Sequence, residues 1–408
     1  MEGRPPVVSL LTRAAIPFGA VFFFVGFWVH RATRFADFRV LRLGGELIGA
    51  GRHAEAYDVE AFASIAQSRP DMAASHRELD VFLSTPVFGW AMRPFAALTF
   101  DPALLLWTLL GLGAVVAAAR LLELPAWVAP AAIVMPFGVA NLHHGQTGFF
   151  ALLLAAGIHR LCVDDRKIWA GLAAGLVILK PTLLVGVAIW WLLDWRRWYP
   201  AMLAAIPSAG ILMLPSLVLN GFEPWTLFLE SARNRVDVQA NVVANKPTLR
   251  ELAKRLLGGE AGSSTALLIV ILGLGALMMW WVKRTWPERI DIQSSAAIFI
   301  SILVSPHLYI YDSGLILIPL AVAVSTGIRA TKVERLVAIF TVSSLATIMS
   351  FGPFGLINDW IAPGAVGMVA LFALWVRHLL STSASTEAHV DQRSIPSSVP
   401  VVNVTSSN

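Results

Sequence analysis

RKIWAGLAAGLVILKPTLLVGVAIWWLLDWRR, residues 166–197, is the stretch whose reading decides the fold. Between the basic flanks Arg166-Lys167 and Arg196-Arg197 lies one apolar block, 168–193, interrupted by Lys180-Pro181. Basic residues gather on the cytoplasmic side of membrane helices. Both flanks therefore read as cytoplasmic, and the block as a hairpin that goes in and returns, with Lys180-Pro181 at its apex. Proline breaks a helix and pushes the residue before it to extended backbone. Two short helices, rising ~1.5 Å per residue, reach only part of the way across a bilayer, which leaves Lys180 in a cavity away from lipid. A single kinked span with Lys180 paired to a carboxylate is the other arrangement the pattern allows.

Outward from this block the chain keeps the same character. Its 408 residues are 57% hydrophobic and 14% charged, and the mean hydropathy is +0.69. A soluble domain carries about a quarter charged residues, so the composition points to a polytopic membrane protein. The apolar runs have helix length and lack the alternation of barrel strands, and helices satisfy their own backbone in lipid. The fold class expected is all-α. The single cysteine, Cys162, excludes an intrachain disulfide and a cysteine metal cluster. The net charge of +5 fits basic cytoplasmic turns beside anionic lipid, and no basic-aromatic module suggests nucleic acid.

Apolar spans are predicted at 16–29, 102–122, 125–140, 147–161, the two halves of 168–193, 198–219, 264–282, 294–304, 313–326, 336–350 and 360–376, about twelve in all with both termini inside. The first is followed by no small-residue cleavage site and is not read as a signal peptide. A polar segment, 31–100, contains helix-forming pieces at 54–66 and an interfacial candidate near Trp90 and Arg93. A second polar loop covers 220–263. One membrane domain, 1–380, precedes a Ser/Thr/Val-rich tail, 381–408, expected to be a disordered cytoplasmic tail.

On this topology the unusual polar residues share one side. Asp37 opens the first outer loop; His143, His144 and Gln146 form a short turn; Lys180 tops the hairpin. Asn245 and Lys246 lie in the second large loop, and His307, Tyr309 and Asp312 join two late spans. Ionisable residues at membrane depth mark functional sites. Each also has a structural reading: Asp37 and Asp312 as helix caps, the histidines as interfacial residues, Lys180 as a snorkelling side chain. One carboxylate with cationic partners at a membrane surface suits transfer of a sugar from a lipid phosphate to a hydroxyl. Asp37 then acts as general base, and the other residues bind the donor phosphate and the substrates, a cation near the phosphate stabilising the leaving group. One carboxylate, rather than a pair, favours inversion. No metal or other cofactor is expected, because His143, His144 and His307 lack ligand spacing.

Several pieces, in order, resemble glycosyltransferase family 87 of the GT-C superfamily. Asp37-Phe38-Arg39-Val40 resembles its Asp-x-x-Val-Tyr opening, and the run from Gly44-Gly45 to Tyr57-Asp58 its small-residue helix followed by Tyr-Asp. Thr85-Pro86 stands in the place of a Tyr-Pro-Pro segment, and Asn141 to Gln146 is similar to a Gly-Gln-x-Asn turn. Leu179-Lys180-Pro181-Thr182, the basic turn Trp195-Arg196-Arg197-Trp198, and Ser305-Pro306-His307 to Asp312 follow in the family's order. Leu41 replaces the family's Tyr, and Thr147-Gly148 the Asn-containing part of its turn. The resemblance implies a GT-C-type bundle and a polyprenyl-phosphate-sugar donor, commonly mannose. It further implies a glycolipid or glycan acceptor, an active site on the extracytoplasmic side of a bacterial inner membrane, and Asp37 as the base. An arabinofuranosyl donor is an alternative. A lipid-linked sugar flippase is the reading from another class, although only one broken hairpin is evident where transporters pair two.

Overall fold

The computed structural model describes residues 35–69, 72, 82–238, 248–257, 265–305, 308–326 and 363–393. Their regular elements are all helices, with no strand among the described residues. Helices α1 (Ala36–Gly49), α2 (His53–Tyr57), α3 (Val59–Gln67) and α4 (Pro86–Ala96) occupy the first polar segment. Local signals start them: the Asp58 carboxylate accepts from Ala61 N–H at 2.8 Å to cap α3, and Thr85 caps α4 with Pro86 in its first turn. The chain continues through α5 (Phe100–Leu121), α6 (Val128–Val134), α7 (Pro136–His144), α8 (Gly148–Val163) and α9 (Lys167–Gly175), which tightens into a 3-10 turn at Leu176–Leu179. Then come α10 (Val185–Leu193), α11 (Trp195–Asn220), α12 (Glu223–Val238), α13 (Leu249–Leu257), α14 (Thr265–Thr285) and α15 (Ile290–Val304). A 3-10 turn, Ile310–Ile316, leads into α16 (Leu317–Ser325), and α17 covers Pro363–Arg393.

Three helices, α5, α11 and α14, are long and apolar enough to cross a membrane, and shorter apolar helices accompany them. Only 6% of the most apolar stretch of α11 is buried, although it is as apolar as the corresponding stretch of α5, of which 39% is buried. Such a face suits lipid, where neighbouring groups also tolerate Pro200, Pro207 and Pro215 inside one helix. The expected spans at 16–29 and 336–350 lie outside the described residues.

The block 168–193 does leave and return. Gly171 abuts Ala201, Gly175 lies against Ala205 and Ser208, and the Ser208 hydroxyl donates to Leu172 O at 2.7 Å, so α9 and α11 run side by side in the same direction. Their starts meet, with Arg197 Nη2 3.6 Å from Asp165 Oδ1. α10 must therefore carry the chain back, and it packs on α15 and α14 rather than on α9. Lys180 is nevertheless paired to a carboxylate, as the kinked-span alternative required.

Two differences have plain causes. The expected span 125–140 is divided into α6 and α7 at Met135, whose extended backbone is what a following proline imposes. The backbone of α17 stays helical to Arg393, into the stretch 381–408 expected to be disordered; no Gly or Pro occurs between Leu379 and Arg393 to stop it.

Two cores hold the assembly. The larger joins α5 through α11 with α14 to α17, around Trp190, Trp198, Phe299 and Trp375. The smaller lies beneath α1, where Phe38, Leu43, Leu47 and Ile48 pack with Phe82, Met92 and Trp107. Gly45 and Gly89 let α1 and α4 touch backbone to backbone. The bundle has two ends. α5 and α8 run from the end that carries Asp37 to the end that carries Glu123 and Asp164; α9, α11 and α15 run back.

Candidate active site

Asp37 is presented by a strained start. Phe35, just before α1, adopts the left-handed conformation with φ 56° and ψ 24°, a cost of order 1 kcal/mol for a residue with a Cβ. Its N–H donates to His143 O at 2.8 Å, which ties the beginning of α1 to the end of α7. The helix begins at Ala36, and no side chain caps it. Asp37 thus stands in the first turn and is not a cap. Its carboxylate turns instead to the loop after α7: Gln146 Nε2 donates to Oδ2 at 2.7 Å, and His144 Nδ1 lies 3.7 Å from the same oxygen. The amide of Gln146 is itself oriented, because Thr147 N–H donates to Oε1 at 3.2 Å. Asp37 Oδ1 has no partner among the described residues, and the side chain is 30% exposed.

That loop is shaped by one glycine. Gly145 has φ +66°, and a Cβ there would lie 2.5 Å from Phe38 Cβ. It ends α7 in the left-handed conformation that favours glycine, while Trp107 Nε1 donates to its carbonyl at 3.0 Å. The side chain after it, Gln146, is thereby aimed at Asp37.

The second half of the site gathers around Lys180. The interruption of the helix between the Leu176–Leu179 turn and α10 holds Lys180 Nζ 2.5 Å from Asp312 Oδ1, 3.5 Å from Thr147 Oγ1 and 5.2 Å from the centroid of the Tyr311 ring. Asp312 is fully buried at 0% exposure, and Tyr309 N–H donates to its Oδ2 at 3.3 Å. Asp312 therefore also helps to cap the turn that begins its helix, as one sequence reading held. Buried Asn141 clamps this turn to α7: its Nδ2 donates to Phe137 O at 2.9 Å and to Tyr311 O at 2.7 Å. Gly148 completes the close approach, since a Cβ there would lie 2.2 Å from Tyr311 O. The Tyr309 and Tyr311 rings stack at 5.3 Å. Burial pushes the Tyr309 hydroxyl above the usual phenol range, and the carboxylates of Asp37 and then Asp312 add to the shift.

A continuous polar path results, from Asp37 through Gln146 and Thr147 to Lys180 and Asp312. The structure brings together Asp37, His143, His144, Gln146, Lys180, Tyr309 and Asp312, with the His143 and His144 rings edge to face at 4.9 Å. His307, Asn245 and Lys246 lie outside the described residues. Thr147, Asn141 and Tyr311 were not among the candidates, although they connect them. The Gly145 to Gly148 turn was the available signal. Among the described residues no group of three or more His, Cys, Asp or Glu side chains is arranged to hold a metal ion.

Residues 82–306, more than half of the chain, match the model of glycosyltransferase family 87. The chain belongs to this family. The protein is thus a glycosyltransferase built on apolar membrane-type helices, acting on a sugar donor and a glycan acceptor. The matched segment contains Asn141, His143, His144, Gln146, Thr147 and Lys180 but neither Asp37 nor Asp312. It is the geometry that joins these two acids to the family segment, through Gln146 and Lys180. Comparison with curated proteins and with solved structures gave no match.

Proposed function

We propose that this glycosyltransferase moves mannose, or a closely similar sugar, from a polyprenyl phosphate to an acceptor hydroxyl, with Asp37 as general base. The observation that carries the reading is the state of the Asp37 carboxylate: one oxygen is held by Gln146 and the other has no partner among the described residues, at the same end as an ammonium group. The acceptor oxygen attacks the anomeric carbon as the bond from that carbon to the phosphate oxygen breaks. The acceptor proton passes to Asp37 Oδ1, and the bonding pair leaves with the polyprenyl phosphate. Lys180 faces the negative charge that grows on the leaving phosphate. A phosphate leaves as a stable anion, so departure needs no general acid, and a single phosphate can be met by a protein cation without a metal. A single base, with no carboxylate nucleophile, implies inversion at the anomeric carbon.

The distribution of basic residues supports an extracytoplasmic site. Arg166, Lys167, Arg196, Arg197, Lys283 and Arg284 mark the opposite end of the bundle, and such residues favour the cytoplasmic side. In a bacterial cell the membrane concerned is the inner one.

The test is transfer of labelled mannose from polyprenyl-phosphate-mannose in proteoliposomes. Asp37→Asn keeps the size and the bond from Gln146 but removes the base, and is expected to lower the rate by about 10²–10⁴-fold. Near-normal transfer by that variant sinks the assignment. Arabinofuranosyl phosphate lipid, offered in parallel, checks the sugar, and movement of intact donor across the bilayer without transfer would indicate a flippase.

A further inference from the structure

The Lys180–Asp312 pair raises a question that the proposed chemistry leaves open. If Lys180 meets the donor phosphate, its ammonium must do so while already bound to a carboxylate. Two arrangements are conceivable: the ammonium leaves Asp312 for the phosphate, or it serves both. The burial of the partners discriminates. Asp312 is wholly inside, whereas the Lys180 side chain is 27% exposed. An ammonium that swung away would leave a buried carboxylate with one backbone N–H, from Tyr309, as its remaining described partner. Stripping a buried pair of one member is strongly unfavourable.

An ammonium has three N–H donors. Here one meets Asp312 Oδ1 and a second reaches toward Thr147 Oγ1. The ammonium also lies over the Tyr311 ring, 5.2 Å from its centroid, so the position of Nζ is bounded from three directions. We infer that Asp312 is a positioning residue: it holds the Lys180 ammonium so that the third N–H is left for the donor phosphate, and it touches no substrate itself. This rests on the reading of Lys180 as the phosphate cation, and it assigns Asp312 a role other than substrate binding. The supports of Asp312 fit such a role. Its turn is tied down by Asn141 and by the approach of Gly148, both of which lie next to the Gln146-Thr147 segment that orients Asp37. The base and the phosphate cation are thus fixed relative to one another through one turn.

The experiment uses the full chain in nanodiscs, polyprenyl-phosphate-mannose as donor, and four proteins: wild type, Asp312→Asn, Lys180→Met and the double variant. Asparagine at 312 still offers Oδ1 to the ammonium but lacks the charge. The expected result for Asp312→Asn is a donor KM raised about tenfold, the worth of one charge-assisted bond, with kcat and the acceptor KM within about twofold of wild type. Because Asp312 acts through Lys180, adding Asp312→Asn to Lys180→Met is expected to raise the donor KM no further. It should also recover thermal stability lost when Lys180→Met strands the carboxylate. An unchanged donor KM in Asp312→Asn overturns the inference, as does an equal rise on the Lys180→Met background, which would mean independent action. A wild-type donor KM in the double variant instead removes Lys180 from the donor site and takes the inference with it. Should Lys180→Met alone fail to fold, the donor KM of Asp312→Asn and that of the double variant, each read against wild type, still decide: a wild-type value in either overturns the inference.

Discussion

The two ends of the bundle carry the same kinds of charged residue and use them differently. At the end away from Asp37, Arg160 spans Glu123 at 2.5 Å and Asp164 at 3.1 Å. Arg197 meets Asp165, Lys283 meets Asp194 at 2.9 Å, and Arg289 meets Asp291 at 2.7 Å. Several of these acids are open to solvent, Glu123 at 72% and Asp165 at 60%. Pairs of this kind contribute little, about 0–1 kcal/mol, and they fit a surface that turns helices around. At the other end an acid at 0% exposure takes its lysine partially inward, and Asp37 keeps one oxygen without a partner among the described residues. The lesson is that the number of ion pairs says little about where chemistry occurs; the distribution of burial and of open acceptor positions says more.

This contrast can be broken or sharpened by substitution. After Asp37→Asn, the largest effect is expected from Gly148→Val. Its side chain would drive into Tyr311 O, and overpacking of this kind costs about 1–3 kcal/mol or more. Transfer should fall by at least about 100-fold if Lys180 and Asp37 lose their relative placement, read as rate alongside thermal stability. Next comes Gln146→Ala, which frees Asp37 Oδ2 and removes the bond that sets the carboxylate plane. A loss of about tenfold in kcat is expected, equivalent to ~1.4 kcal/mol, with the donor KM little changed. Thr147→Val should have a smaller effect, about two- to fivefold on the donor KM, because the 3.5 Å contact from Lys180 is long for a hydrogen bond. Arg160→Ala, at the far end, is expected to change stability by less than about 1 kcal/mol and to leave transfer unaltered. A large loss of transfer from Arg160→Ala would erase the distinction between the ends.

How much of this was legible in the sequence varies with the physics involved. The return of the 168–193 block was legible because Lys180-Pro181 and two basic flanks are local marks with a mechanism. Most helix positions followed from unbroken apolar runs. The division of 125–140 was carried by Pro136 but was hidden inside an apolar stretch. The Ser/Thr content after Leu379 suggests a tail, whereas the lack of Gly and Pro up to Arg393 is compatible with the helical backbone found there. Among the site residues, that Asp37, Gln146, Lys180 and Asp312 lie at one end could be reasoned from topology. Which of them touch could not, since Asp37 and Gln146 are separated by 109 positions and Lys180 and Asp312 by 132. Asn141 acts through its side-chain amide on two backbone carbonyls and Thr147 through one N–H and one hydroxyl, and such contacts leave no pattern in composition or period.

The central claim is that Asp37 supplies the base while the surrounding loop and Lys180 hold the substrates. It is tested most directly by measuring donor binding and single-turnover transfer side by side in the Asp37→Asn variant, reconstituted with polyprenyl-phosphate-mannose and its acceptor. The account predicts donor binding within about threefold of wild type and transfer reduced by about 10²–10⁴-fold. Transfer at a wild-type rate with donor bound would contradict it.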